Sequence, residues 1–216
     1  MRDGPVAFVL GGGGLLGAHE VGMLRALLEA GVVPDLVVGT SVGAVNGVAV
    51  AAEPTLDAVT RLAGFWGELE SRGLFTGSLV HRLTTLARTK VSLHTHDPLR
   101  ELIDHHVPAR TFDDLVVPFQ CVAAHVEAAA EHWFTEGPIV DALLASCAVP
   151  GLLPPVEIDG QTYLDGGLVH SIPVGRAVAL GARTLWVMQV GRIESPLRRP
   201  RTPWDVALVS FEVARR

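Results

Sequence analysis

One serine stands in a sequence context that could make it a nucleophile. The segment GTSVG (residues 39–43) fits the pattern G-x-S-x-G, in which a serine on a sharp strand-to-helix turn exposes its hydroxyl for attack on an acyl carbon. The pattern is short, and in a chain with 23 glycines it can also be an ordinary bend of small residues around Ser41. The elements that flank it must decide between these interpretations.

A run of glycines precedes this serine by about one helix and one strand. Gly12, Gly13, Gly14 and Gly17 carry no side chains, so their backbone N–H groups can point together at one place. The positive end of a helix that begins near Gly17 would add to this field. Such a loop can hold the oxyanion that develops during acyl transfer. The alternative is a tight turn without a chemical role.

The same glycines fit the dinucleotide fingerprint G-x-G-x-x-G, which makes an oxidoreductase the rival hypothesis. That fingerprint needs an acidic residue at the end of the second strand, but Asp35 precedes the strand. A short-chain dehydrogenase also needs a tyrosine and a lysine four residues apart, and the only tyrosine, Tyr163, is far from the only lysine, Lys90. We therefore favour the oxyanion interpretation, which requires no cofactor.

A base for the serine must come from elsewhere in the chain. The α/β-hydrolase order places a histidine after the acid, yet His170 is the only histidine beyond residue 132. The segment YLDGG (residues 163–167) instead presents Asp165 where a strand runs into two glycines. Taken alone, a D-G-G sequence more often marks a turn.

The elements predicted around these residues would bring them to one edge of a sheet. Apolar runs at residues 6–10 and 36–38 predict short buried strands, and residues 17–30 and 42–52 predict helices. This order implies a parallel sheet with helices on its faces. The glycine loop and Ser41 would then follow the carboxyl ends of two strands.

Later elements are predicted from apolar runs and turn signals. Residues from about 55 to 106 are predicted to be mostly helical, with Asp97 as an N-cap, and residues 139–147 form a further helix. Asp159-Gly160 predicts the turn of a hairpin. The remaining strands are predicted at residues 118–125, 131–134, 156–158, 161–164 and 184–190, the last as a core strand.

Composition limits the class of protein. A chain of 216 residues predicts a single domain over residues 1–216, with the motifs in a core of about residues 5–190. The net charge of −6 and the lack of a broad basic face argue against a nucleic-acid partner. No signal peptide or membrane span is predicted, which favours a cytoplasmic protein. Cys121 and Cys147 are predicted to be buried free thiols, and the histidines lack the spacing of a metal site.

Three motifs in order, GGGGLLG, GTSVG and YLDGG, together resemble the patatin-like phospholipases, and the likeness spans roughly residues 5–190. The segment ASCAVPGLLPPVEIDGQTYLDGG also resembles the stretch that precedes the aspartate of that family. The resemblance implies an α/β fold, a three-layer αβα arrangement around a mainly parallel sheet. It implies a hydrolase of lipid esters that uses a Ser–Asp dyad, with a lipid or ester as its partner and no cofactor.

Carried over residue by residue, the resemblance implies Ser41 as nucleophile and Asp165 as base. The oxyanion hole would be formed by Gly12, Gly13, Gly14 and Gly17. The glycines that support the other two motifs are Gly39, Gly43, Gly166 and Gly167.

Two positions depart from the family pattern. Leu16 stands where members of the family usually carry arginine or lysine, which weakens the case for a phospholipid over a neutral ester. It also leaves open a catalytically weak, lipid-binding or regulatory protein. His170 stands where the family often has asparagine, and we expect a surface role for it.

The end of the chain predicts a helix over residues 203–216 with Trp204, Leu208 and Phe211 on one stripe. A helix this short is marginal in water by itself, so it must dock on other structure. It either packs on its own domain or meets a partner subunit, which would make a homo-oligomer, or a lipid surface, which would make a peripheral membrane contact.

Overall fold

A computed structural model describes residues 4–72, 92–190, 196–197 and 199–214 of the chain. Its centre is a seven-stranded sheet. The strands are β1 (Val6–Leu10), β2 (Leu36–Thr40), β3 (Phe119–His125), β4 (Ala130–Phe134), β5 (Val156–Ile158), β6 (Gln161–Asp165) and β7 (Thr184–Met188). The helices in the described part are α1 (Ala18–Glu29), α2 (Val42–Ala52), α3 (Leu56–Ser71), α4 (Asp97–His106), α5 (Ile139–Ser146), α6 (Val174–Ala179) and α7 (Pro203–Ala214).

The sheet has a parallel part and an antiparallel part. Strands β7, β1, β2 and β3 pair in parallel, in that order, whereas β4 and β6 pair antiparallel to β3 and β5 pairs antiparallel to β6. Strands β1 and β2 are buried along their whole length, as their unbroken apolar runs predict for strands covered on both faces. The α/β fold class predicted from the sequence is confirmed.

Strand β3 brings the carboxyl ends of β2 and β6 together. Strand β4 occupies one edge of β3 at residues 121–125, so the other edge is shared by β2, at residues 119–122, and by β6, at residues 123–125. Thr40 lies opposite Val122, and Asp165 lies opposite Ala123. Because β2 is parallel and β6 antiparallel to β3, the two strands end head to head on neighbouring residues of β3.

The two faces of the sheet are covered unequally. Phe8, Leu10 and Val37 belong to the main core, together with buried side chains of helices α1 to α5. Ala7 and Val9 point to the other face, where they join a smaller cluster that includes α6. This alternation is the period-two pattern of a strand. The result is a layer of helices, the sheet, and a thinner layer that contains α6.

Two local predictions differ from the structure. Residues 184–190 were expected as a core strand, but β7 lies at the edge of the sheet, and 42% of Trp186 and 45% of Val187 are exposed. An apolar run indicates a strand, but it does not show whether that strand pairs with other strands on one edge or on both. Asp97 is the first residue of α4 rather than its N-cap, which is His96. The predicted helical content of residues 73–91 falls outside the described residues.

The last helix, α7, contacts the short 3-10 turn Gly166–Leu168. Its Val206 and Val213 are exposed, while the side chains of the predicted stripe lie outside the described part of the structure. Docking of this helix on a partner therefore stays a prediction. In the ranges that the structure describes, no helix has the length and apolar character needed to cross a bilayer.

The fold predicts opposite effects for two helical glycines. A Cβ at Gly43 would lie 2.5 Å from the Leu10 carbonyl oxygen, whereas a Cβ at Gly22 would meet nothing within 4 Å. We expect Gly43→Ala to destabilise the protein by about 1–3 kcal/mol, because α2 must move off β1. Gly22→Ala should stabilise it by about 0.5–1 kcal/mol through helix propensity. Denaturant unfolding of both variants measures the difference, and equal effects would contradict this packing.

Candidate active site

Ser41 occupies the sharp turn between β2 and α2 that its motif predicts. Its backbone has φ 54° and ψ −129°, in the left-handed region that a side chain disfavours. Such a conformation costs about 1–3 kcal/mol and persists only where surrounding contacts enforce it. Here Gly39 and Gly43 permit the close contact of strand and helix, since a Cβ on Gly39 would lie 2.6 Å from the Cα of Ala44.

The structure brings Ser41 and Asp165 together. The Ser41 hydroxyl donates a hydrogen bond of 2.7 Å to Oδ2 of Asp165, and the Gly167 amide donates one of 2.7 Å to Oδ1. Asp165 is fully buried, and Ser41 is only 5% exposed. The two residues are 124 positions apart in sequence. Ser41 directly follows β2, and Asp165 is the last residue of β6. These are the two strands that end on neighbouring residues of β3.

Gly166 and Gly167 fix the aspartate in this position. A Cβ on Gly166 would lie 2.2 Å from the carbonyl oxygen of Val122, so the chain can pass this point of β3 only with glycine. The Asp165 amide also donates to the carbonyl of Ala148, at 3.0 Å. The motif glycines thus allow close backbone contacts around the carboxylate.

Ser146 holds the same junction and was missed by the sequence analysis. Its hydroxyl accepts a 2.9 Å hydrogen bond from the Ser41 amide and donates one of 2.7 Å to the Val122 carbonyl. The side chain is fully buried at the end of α5. A single hydroxyl therefore ties the strained turn to β3. The only signal in the sequence was a polar residue within the apolar run LLASCAVP.

The predicted oxyanion loop lies beside Ser41, but its glycines are not equivalent. Gly12 packs on Ser41, since an added Cβ would be 3.4 Å from the Cβ of Ser41, and its amide donates to the Ser171 carbonyl at 2.9 Å. Within the described ranges, no hydrogen bond engages the amides of Gly13 and Gly14. Gly17 packs closely against Val42 and Trp66.

An apolar cavity of about 190 Å³ opens beside Ser41. It lies between the turn after β2, helices α3 and α4, and the segment that follows α5. The lining residues are Gly14, Leu15, Ser41, Val42, Val45, Phe65, Trp66, Leu69, Leu99, Cys147, Val149, Leu152 and Leu153. Such a surface suits a hydrocarbon chain and offers little to a charged group. Leu15 lines the cavity and Leu16, the departure from the family pattern, is not among these residues.

Cys147 lines the same cavity with a buried thiol. Burial raises the pKa of its thiol well above the ordinary value, and the charge of Asp165 raises this pKa further. Burial likewise raises the pKa of Cys121. Both cysteines are buried and free, which confirms the prediction, and both stay protonated near neutral pH.

The His170 side chain points to the surface, where its Nε2 contacts a carboxylate oxygen of Glu131. Its imidazole is 40% exposed and its ring lies near Trp133. Only the backbone of His170 supports the site, because its carbonyl accepts a 2.8 Å hydrogen bond from the Thr40 hydroxyl. The expected surface role of this side chain agrees with these contacts.

The geometry gives no support to the dinucleotide hypothesis. Asp35 precedes β2, and its Oδ2 accepts a 2.8 Å hydrogen bond from the amide of Val6, the first residue of β1. Its carboxylate therefore lies at the amino end of the strands, whereas the glycine loop follows their carboxyl end. A ribose bound at the loop would be out of its reach.

One group of side chains in the described residues has metal-ligand spacing, namely Glu68, His105 and His106. The group links α3 to α4, and none of its three members is among the residues that line the cavity beside Ser41. Arg72 pairs with the second carboxylate oxygen of Glu68 at 3.3 Å, which opposes a bound cation. This group adds nothing to the chemistry at Ser41.

These features define a class of α/β protein in which a serine on a strand-to-helix turn faces a buried aspartate beside a glycine loop. The family model "Patatin-like phospholipase" matches residues 8–178. The chain belongs to the patatin-like phospholipase family.

Several relatives share this region. Patatin-like phospholipase domain-containing protein 7 of Rattus norvegicus is 30% identical over 188 residues, covering 86% of this chain and 14% of its own length. Patatin-like phospholipase domain-containing protein ZK370.4 of Caenorhabditis elegans is 33% identical over 88% of this chain and 14% of its own length. Lysophospholipase NTE1 of Mycosarcoma maydis is 30% identical over 88% of this chain and 10% of its own length. The chain thus spans about one seventh or less of the length of these relatives.

Among solved structures, VipD from Legionella pneumophila aligns with a TM-score of 0.46 and 14% identity, covering 75% of this chain and 45% of that chain.

The Ser146 contacts predict a coupled loss of stability and reactivity in Ser146→Ala. Removal of the hydroxyl leaves the Ser41 amide and the Val122 carbonyl buried without this partner, which costs about 1–3 kcal/mol. Covalent reaction of Ser41 with a serine-directed fluorophosphonate should slow as well, because the turn that carries Ser41 loosens. Ser71→Ala, which removes an exposed hydroxyl, is the matched control. Wild-type unfolding and wild-type reactivity of Ser41 in Ser146→Ala would contradict the role described for this residue.

Proposed function

We propose that the protein hydrolyses carboxylic esters of lipids through Ser41 and Asp165. The observation that carries this proposal is the 2.7 Å hydrogen bond from the Ser41 hydroxyl to the buried carboxylate of Asp165, at the rim of an apolar cavity. Membership of the patatin-like phospholipase family and the name lysophospholipase, given to a relative, support a lipid ester as substrate.

The proposed reaction has two acyl-transfer steps. Ser41 Oγ attacks the ester carbonyl carbon while Asp165 Oδ2 takes the hydroxyl proton, and the tetrahedral intermediate collapses to an acyl-serine. The departing alcohol oxygen receives that proton. Water then attacks the acyl-serine with Asp165 again accepting a proton, which returns to Ser41 as the fatty acid leaves. Each step balances without a cofactor.

The oxyanion in both steps requires hydrogen-bond donors, which we assign to the amides of Gly13 and Gly14. Gly14 lines the cavity together with Ser41, and its φ of 56° turns the loop sharply at this point. The amide of Gly12 already donates to Ser171, so its part is to bring the loop against Ser41. Gly17 serves the packing of the loop. Removal of one such donor typically costs about 10²–10³ in turnover.

Covalent labelling tests the nucleophile. A fluorophosphonate should modify Ser41 alone, as mapped by mass spectrometry of the labelled peptide, and Ser41→Ala should remain unmodified. Cys147 lines the same cavity and is the natural competitor, but its protonated thiol should not react. Labelling elsewhere with Ser41 intact would contradict the assignment. Binding of lipid without labelling or turnover would indicate a lipid-binding protein instead.

The base is tested by Asp165→Asn. The amide is nearly isosteric but cannot take the serine proton, so turnover of a short-chain ester should fall by about 10²–10⁴-fold with the fold retained. His170→Ala is the control, because its imidazole contacts Glu131 at the surface and should leave turnover close to wild type. Equal losses in both variants would replace the dyad with a triad.

The cavity predicts a preference among acyl chains. Each methylene that enters an apolar cavity contributes about 0.8 kcal/mol, or roughly fourfold in kcat/KM, until the space is full. We expect kcat/KM to rise from acetyl to longer p-nitrophenyl esters, and Val149→Trp to flatten this series. Val178→Trp, at an exposed position on α6, is the control. A series without chain-length dependence would show that the acyl group binds elsewhere.

A further inference from the structure

A buried polar bridge lies directly behind the glycine loop. The side-chain amide of Asn46, on α2, donates hydrogen bonds to the Gly17 carbonyl, at 2.9 Å, and to Oε2 of Glu20, at 2.7 Å. Its oxygen accepts a 2.9 Å hydrogen bond from the indole N–H of Trp66. Both Glu20 and Asn46 are fully buried. One side chain therefore joins the loop, the helix after the loop and helix α3.

The bridge holds two walls of the proposed active site. Gly17 ends the glycine loop, and a Cβ there would lie 2.7 Å from Val42 and 3.0 Å from the ring of Trp66. Trp66 and Val42 both line the cavity beside Ser41. A displacement of Asn46 would consequently move the loop and the cavity wall together.

Glu20 is the member of the bridge that can change its charge. Its Oε1 is buried and has no hydrogen-bond partner in the described structure. A buried carboxylate costs free energy when one of its oxygens has no hydrogen-bond partner. Burial raises the pKa of Glu20 to about 8, although the hydrogen bond from Asn46 lowers it. The carboxyl is thus protonated at neutral pH and ionises as the pH rises through this value.

The charged groups of the surrounding elements do not face this carboxyl. On α1, His19 bonds the Leu16 carbonyl, and Arg25 pairs with Glu29 and contacts Thr60, all at the surface. Helix α2 has no charged residue within its bounds. The charged side chains of α3 lie on its exposed or half-buried side, at Asp57, Arg61, Glu68 and Glu70. None of these groups contributes to the raised pKa.

We propose that the protonated carboxyl of Glu20 is a positioning group, which acts through Asn46 to hold the glycine loop and Trp66 against Ser41. Ionisation strengthens the hydrogen bond from Asn46, but it also leaves a charge in a buried position. The free-energy cost of that buried charge favours a displacement that admits water to Glu20 and so releases both walls. Glu20 touches no substrate in this scheme. The inference rests on the proposed hydrolysis for its kinetic readout, and it adds to that reaction a loss of activity on the alkaline side.

The kinetic test compares pH profiles of kcat for a soluble short-chain ester. Hydrolysis is measured by titration of the acid that is released. Wild-type kcat should fall up to tenfold per pH unit above about pH 8, as loss of one proton requires. Glu20→Ala should lower kcat at every pH, and Glu20→Gln should restore much of it and remove the alkaline fall. Glu29→Gln, an exposed change on the same helix, should keep the wild-type profile.

Two further readouts do not depend on hydrolysis. The unfolded chain loses the Glu20 proton near its ordinary pKa of 4.5, whereas the folded chain keeps it to about 8, so stability is lost as pH rises across this window. The Tm of Glu20→Gln should therefore exceed that of wild type by a margin that grows from pH 5 to 8. Binding of the neutral probe N-phenyl-1-naphthylamine in the cavity should weaken above pH 8 in wild type and should not weaken in Glu20→Gln.

The outcomes separate this inference from the proposed function. A protein without turnover or labelling would overturn the hydrolysis, while the Tm and probe profiles would still test Glu20. A wild-type kcat constant to high pH, or a Glu20→Gln variant that keeps the alkaline fall, would overturn the positioning role. Failure of Glu20→Gln to fold would do the same, because glutamine mimics the protonated acid.

Discussion

The arrangement of the site depends on the pairing register of β3. Thr40 opposite Val122 and Asp165 opposite Ala123 bring the ends of β2 and β6 to adjacent residues on one edge. A slip of one residue in either pairing would turn the side chains of that strand to the opposite face of the sheet. The hydrogen bond between Ser41 and Asp165 is thus a consequence of sheet register, held in place by the glycines that let the chains approach.

Several polar side chains at this junction are buried in an otherwise apolar core. Ser41, Ser146, Asn46 and Asp165 each make hydrogen bonds that connect different elements of the fold. A buried polar group costs free energy unless its partners are in place, so each bond favours one arrangement of strands and helices over alternatives. The core therefore determines the geometry of the site as well as the stability of the fold.

Local sequence patterns predicted the elements that carry the site. The unbroken run in β1, the G-x-S-x-G turn and the Asp159-Gly160 hairpin each have a short-range physical cause, and the structure has them where they were predicted. Glu20 and Ser146 were missed, because each is one polar residue inside a helical segment and its partners are far away in sequence. No local pattern states that a glutamate on a helix faces inward. The edge position of β7 depends likewise on the neighbours it lacks.

The lining of the cavity explains why the backbone carries so much of the proposed chemistry. No described residue of the lining has a charged side chain, and Leu16 in the glycine loop is apolar. In the proposed hydrolysis, stabilisation of the oxyanion would come from amide dipoles, whose effect depends steeply on distance and direction in a dry site. Small displacements of the loop matter more here than they would beside a flexible cation. A rigid support such as the bridge from Glu20 through Asn46 to Gly17 and Trp66 is what this type of site requires.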